Sequence, residues 1–131
     1  MKTTDIIILA AGKGTRMQSR LPKVLHNLAG QPLLSHVLTA AKTVNQAKTI
    51  VVTGFGADQV ESTIGNTADV FIDQPQQLGT AHAVQCALPH LRENAKVLIL
   101  YGDVPLIAPD TIAKMLDTVT ADQMGLLTVT L

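Results

Sequence analysis

Three cations and a run of small residues are the chemistry this sequence offers first: Leu9-Ala10-Ala11-Gly12 is followed by Lys13, Gly14, Thr15, Arg16 and Met17, then by Lys23. Small residues let backbone N–H groups approach a ligand closely, and a concave turn of such groups attracts anions. Add Lys13, Arg16 and Lys23, and the loop suits a polyphosphate. The competing reading is a glycine-bearing turn whose basic side chains are merely solvated. Two familiar phosphate motifs are excluded. The pattern G-x-x-x-x-G-K-[ST] does not occur, and G-x-G-x-x-G fails because Met17 stands at its third glycine. Gly54-Phe55-Gly56 fails in the same way, with Gln59 at that place.

A carboxylate able to answer these cations stands at Asp103, after Tyr101 and Gly102. It offers a ligand for Mg2+, which binds through one or two carboxylates plus substrate phosphates; the alternative is a turn former before Pro105. The loop Asp73-Gln74-Pro75-Gln76-Gln77-Leu78-Gly79-Thr80 holds amides that could read a base edge by hydrogen bonding. Equally, it is a solvated polar loop with Thr80 as a helix N-cap. His26, His36, His82 and His90 have no metal-ligand spacing and read as structural or exposed. Cys86 reads as a packing residue in a mostly apolar helix rather than a nucleophile.

Positioning these groups falls to an alternation of strands and helices. Continuous apolar runs predict buried strands at Ile6-Ile7-Ile8-Leu9, Ala47 to Thr53, Ala68 to Ile72 and Lys96 to Tyr101. Leu126 to Leu131 alternates with threonine and predicts a fifth. Helical spacing covers Pro32 to Thr43, Ala57 to Ile64, Thr80 to Leu88 and Pro109 to Val119. The expected fold is α/β, a Rossmann-like, doubly wound, mostly parallel sheet. Such sheets bind ligands at the carboxyl edge, where strand order reverses. In the order 3-2-1-4 the first and fourth strands are neighbours at that reversal, so the basic loop and Asp103 would share one cleft. A chain that closes on a strand with no covering element reads as a cut through a larger domain.

Composition narrows the classes. The 131 residues suit one domain, and 47% apolar against 15% charged residues fits a globular chain rather than a disordered one. Ten basic and ten acidic residues cancel, so long-range attraction to nucleic acid or to an anionic membrane is weak. With Phe55, Phe71 and Tyr101 the only aromatics, a base-stacking platform for single strands is not expected. No stretch approaches the ~20 apolar residues of a membrane span. A single cysteine, Cys86, allows no intrachain disulfide and fits a reducing, cytoplasmic setting.

The stretch Leu9-Ala-Ala-Gly-Lys-Gly-Thr-Arg-Met17, followed by Leu21-Pro22-Lys23, resembles the signature of the sugar nucleotidyltransferases. Val24-Leu25-His26, Gln77-Leu78-Gly79-Thr80, Tyr101-Gly102-Asp103-Val104-Pro105-Leu106 and Gly125-Leu126-Leu127-Thr128-Val129 narrow the resemblance to the bacterial bifunctional N-acetylglucosamine-1-phosphate uridyltransferases. The motifs span nearly the whole chain. One departure is Ala81, where many members carry glycine.

The resemblance implies a fold of the nucleotide-diphospho-sugar transferase type, with 1–131 as the nucleotide-binding half of the uridyltransferase domain. It implies Mg2+-dependent uridylyl transfer from UTP to N-acetylglucosamine 1-phosphate. Leu9, Ala10, Ala11 and Gly12 would line the nucleotide. Gln74, Gly79 and Thr80 would read the uracil, and Arg16 and Lys23 would neutralise the phosphates. Tyr101 and Gly102 would border the sugar, and Asp103 would hold the metal. It also implies a sugar-binding half with a second metal ligand, and a β-helix acetyltransferase domain that forms a homotrimer, outside these residues. Another nucleotidyltransferase of the same fold and a non-catalytic nucleotide-binding module are the competing expectations.

Overall fold

In the computed structural model, residues 3–11, 21–76, 78–105, 108–118 and 124–126 are described. The chain runs through β1 (Thr4–Ala10), a short 3-10 turn (Lys23–Leu25), the hairpin β2 (Asn27–Leu28) and β3 (Gln31–Pro32), and α1 (Leu33–Ala41). It continues with β4 (Ala47–Thr53), α2 (Ala57–Ile64), β5 (Val70–Asp73), α3 (Thr80–Ala87), β6 (Lys96–Tyr101), α4 (Pro109–Thr118) and β7 (Met124–Leu126).

The main sheet has the order β5-β4-β1-β6-β7, and its neighbours pair in parallel. β1 is central, with Ile7 opposite both Ile50 and Ile99. Because side chains alternate along a strand, β1 feeds two cores. Ile6 and Ile8 pack with Leu34, Leu38, Val60, Leu98 and Ile112 under α1, α2 and α4. Ile7 joins Ile50, Val52 and Ile99 under α3, which meets the sheet through the small residues Ala83 and Ala87. A sheet buried on both faces explains why its strands are unbroken apolar runs. Beginning at β1, the chain winds outward through β4 to β5, then returns to the other side for β6, so the reversal falls between β1 and β6.

The structure moves several expected boundaries. β5 spans Val70–Asp73 rather than Ala68–Ile72: Ala68 is buried but follows a 3-10 turn over Gly65–Thr67. α1 begins at Leu33 because Pro32, with ψ 147°, is still extended and belongs to the hairpin. α3 ends at Ala87 and tightens into a 3-10 turn over Leu88–His90, where Pro89 has no N–H to continue the ladder. The last described strand is Met124–Leu126, and the rest of the expected Leu126–Leu131 strand lies outside the described residues. Val119 of the last expected helix does too. No helix among the described residues is long and apolar enough to cross a membrane.

Candidate active site

At the carboxyl end of β1, the strand's last residues become a wall. The Leu9 carbonyl accepts from Gly102 N–H at 2.9 Å, and the Ala11 carbonyl accepts from Phe55 N–H at 3.4 Å. The basic loop is thus anchored to both neighbouring strand ends just before Gly12. Gly12 and Arg16 themselves lie outside the described residues, as do Lys13 and Gln77.

Gly102 makes the anchor possible. A Cβ there would stand 3.0 Å from the Leu9 carbonyl oxygen, 3.2 Å from Val24 Cγ1 and 3.3 Å from Leu34 Cδ1. With no side chain, the loop after β6 closes onto β1 and presents Asp103. That turn is closed by backbone, Val104 N–H donating to the Tyr101 carbonyl at 3.2 Å. The Asp103 carboxylate instead reaches Lys23, with Nζ 3.2 Å from Oδ2. Asp103 is therefore more than the turn former of the competing reading.

Lys23 is held by its neighbours. Pro22 precedes the 3-10 turn, whose Val24 and Leu25 are buried in the core. Pro22 packs on Gly56, where an added Cβ would lie 2.3 Å from Pro22 Cγ. Gly56 also has φ +69°, a conformation costly for other residues. The lysine is thus carried on a rigid turn while its amine stays half exposed, 49% by side chain.

The third wall is the loop between β5 and α3. Gln74 is 3% exposed, and its nitrogen donors find partners within the protein. Its N–H donates to the Thr53 carbonyl at 2.6 Å. Its Nε2 donates to the Gly79 carbonyl at 3.3 Å and lies 2.9 Å from His82 Nδ1. Gly79, not Thr80, is the N-cap of α3, and its φ +103° with ψ 176° is a combination open essentially to glycine. Thr80 is the first residue of the helix proper, a correction to the N-cap reading.

These walls enclose one cavity of about 380 Å³, the size of a small-molecule site. Leu9, Ala10, Ala11, Lys23, Gln74, Gly79, Thr80, Tyr101 and Asp103 all line it, joined by Val24 and Ala83, which the sequence reading did not place in the site. Gly102 lies buried beneath it. A cleft lined, among the described residues, by one lysine and one carboxylate, with a polar amide besides, can take a phosphate-bearing ligand and a hydrogen-bonding ring. Among the described residues no group of three or more His, Cys, Asp or Glu could cage a metal alone. A single carboxylate fits Mg2+ only as one that binds largely through substrate phosphates and water, which is that ion's habit.

Three residues have side-chain partners that the sequence did not announce. His82 was grouped with the structural histidines, yet it bonds the buried amide of the cavity wall. The available signal was its place in the first turn of the helix that follows the amide-rich loop. Asp5, fully buried, pairs with the part-exposed Arg92 at the opposite edge of the sheet, 87 residues apart, with no local pattern to announce it.

The chain belongs to the MobA-like NTP transferase domain family, whose model matches residues 6–130. Among curated relatives, the bifunctional protein GlmU of Cellvibrio japonicus is 56% identical over 127 residues, 97% of this chain and 28% of the relative. GlmU of Paraburkholderia phymatum is 54% identical over the same shares. The chain thus spans a little over a quarter of these relatives' length. A solved nucleotidyl transferase from Methanothermobacter shares the fold with a TM-score of 0.80 at 20% identity, over 90% of this chain and 58% of that one.

Proposed function

We propose that this chain is the nucleotide-binding half of a uridyltransferase, transferring UMP from UTP to N-acetylglucosamine 1-phosphate and releasing pyrophosphate. The observation that carries the reading is Lys23 and Asp103 facing each other at 3.2 Å inside one cavity at the β1–β6 reversal. Similarity to GlmU proteins supports the choice of substrates.

In this reading a phosphate oxygen of the sugar 1-phosphate attacks the α-phosphorus of UTP in line. The bond from that phosphorus to the bridging oxygen breaks, and pyrophosphate leaves with the electron pair. No covalent enzyme intermediate is needed, so the protein contributes positioning and charge neutralisation. Lys23 and Arg16 offset the charge of the phosphates. Leu9, Ala10, Ala11 and Gly12 let the backbone close on the nucleotide, while Gln74, Gly79 and Thr80 read the base. Tyr101 and Gly102 border the sugar. Asp103 would hold Mg2+, which when bound supplies neutralisation of the triphosphate charge. The Lys23–Asp103 pair then opens on binding, each partner exchanging the other for ligand. The remainder of the sugar site, a second metal ligand and the trimer contact belong to further parts of the protein in this reading, and the setting is cytoplasmic biosynthesis of cell-wall precursors.

Equilibrium dialysis of the chain against labelled UTP, CTP, GTP and ATP with Mg2+ tests the reading. UTP is expected to bind saturably and in preference to the others. Equal retention of all four, or of none by a chain shown to be folded, would contradict it.

A further inference from the structure

The amide of Gln74 is a directional reader: the Gly79 carbonyl selects its direction, and His82, through the shorter contact, holds it there. We infer that His82 is a positioning residue for base selection: it holds the Gln74 amide with its oxygen available to the ligand, and so makes the cavity prefer a base that offers a donor. The inference rests on the proposed nucleotide reading of the cavity and adds to it the device that separates one pyrimidine from the other.

A primary amide nitrogen has two hydrogens and accepts nothing. At Gln74 both are placed: Nε2 lies 3.3 Å from the Gly79 carbonyl oxygen and 2.9 Å from His82 Nδ1. The reverse orientation would set the amide oxygen against that carbonyl oxygen, two acceptors with no proton between them. An amide nitrogen facing Nδ1 also fixes the imidazole. Nδ1 must be the bare, accepting nitrogen, so the proton of the neutral ring is on Nε2, 4.0 Å from Cys86 Sγ one turn along α3. With both hydrogens engaged, Oε1 is the amide atom with no partner among the described residues, on a side chain that is 3% exposed and lines the cavity.

An acceptor there suits uracil, whose ring N3 carries a hydrogen. Cytosine has a bare N3 at the same place and would meet Oε1 lone pair to lone pair. Sites built to hydrogen-bond a substrate group reject the analogue that lacks it, because a buried polar group is left unpaired. The bond to Gly79 alone would hold the amide poorly, since 3.3 Å is beyond the usual N–H···O range and His82 supplies the shorter contact. Without His82 the amide keeps only the long bond to Gly79 and can swing off that carbonyl to turn its nitrogen to the ligand, where an amide N–H donor suits cytosine N3.

The test compares UTP and CTP binding, by calorimetry with Mg2+, for the chain and for His82→Leu and His82→Asn. Leucine removes the acceptor; asparagine can place its carbonyl oxygen close to where Nδ1 stood. The unmodified chain is expected to favour UTP by about tenfold or more, the discrimination of one well-made base contact. His82→Leu should compress that ratio to about threefold or less, mainly through tighter CTP and weaker UTP, while His82→Asn restores it. A merely structural role would weaken both nucleotides together and leave the ratio alone. A folded His82→Leu chain that keeps the original ratio overturns the inference. Equal binding of the two pyrimidines by the unmodified chain removes the base reading itself, and the positioning role falls with it. Nitrogen-15 NMR of the unmodified chain gives a readout independent of any variant's folding: the imidazole should carry its proton on Nε2, and a proton found on Nδ1 would refute the assignment.

Discussion

The sheet has an ion pair at each of its two edges, and the contrast between them separates structure from function. At the amino edge, Asp5 is fully buried and receives Arg92 Nε at 2.7 Å and the Arg92 backbone N–H at 2.6 Å. The guanidinium goes on to donate to the Thr4 and Gln46 carbonyls at 2.9 and 3.1 Å. The Asp5 carboxylate is met wholly inside the protein, while the Arg92 side chain remains 37% exposed. At the carboxyl edge, Lys23 and Asp103 meet through a single 3.2 Å contact, with side chains 49% and 33% exposed. A pair with one fully buried charge is costly to break by removing that charge's partner, whereas a pair exposed on both sides contributes little to stability. One pair therefore locks the chain, and the other, in the proposed function, exchanges partners with a ligand.

Breaking the locked pair should have the largest effect. Arg92→Ala leaves the Asp5 carboxylate buried without its counter-charge, held only by the backbone N–H of residue 92, and should cost about 3 kcal/mol in urea unfolding; a loss under about 1 kcal/mol, the range of an exposed pair, would erase the distinction between the two edges. Next comes the support beneath Lys23. Gly56→Ala forces a Cβ onto Pro22 at a positive φ, with an expected cost of about 1–3 kcal/mol and weaker nucleotide binding, because Pro22 carries the lysine. If stability falls but affinity does not, the turn does not position Lys23. Lys23→Ala should have the smallest effect on the fold, within about 1 kcal/mol, yet lower affinity for nucleoside triphosphate by about tenfold or more. Unfolding of that variant on the scale of Arg92→Ala would show the carboxyl-edge pair to be structural after all.

The same contrast explains what could be read in the sequence. The pair proposed to bind ligand was legible because each partner stands in a motif that follows an apolar strand, and strand order brings β1 and β6 together. The apolar runs of β4 and β6 marked their own ends, since both strands are buried on both faces. The locked pair was not legible: Asp5 looks like a polar lead-in to a strand and Arg92 a solvated loop residue, and only tertiary folding joins them. His82 escaped for a related reason. Its partner is eight residues away in a loop whose path is set by the left-handed Gly79, and helical periodicity says nothing about such a contact. The end of α1 was overextended because Thr43 and Val44 continue the polar–apolar pattern after the helix has passed into turns.

The account rests on Asp103 as the point where metal and triphosphate meet Lys23, and one titration addresses it directly. UTP is added to the chain and to Asp103→Ala, each with Mg2+ and again with the metal chelated, with the fold of both checked by circular dichroism. The account predicts saturable binding to the unmodified chain that depends on Mg2+, and loss of that dependence in Asp103→Ala without loss of fold. A folded Asp103→Ala chain that keeps full Mg2+ dependence, or an unmodified chain that binds UTP equally well without the metal, would contradict it.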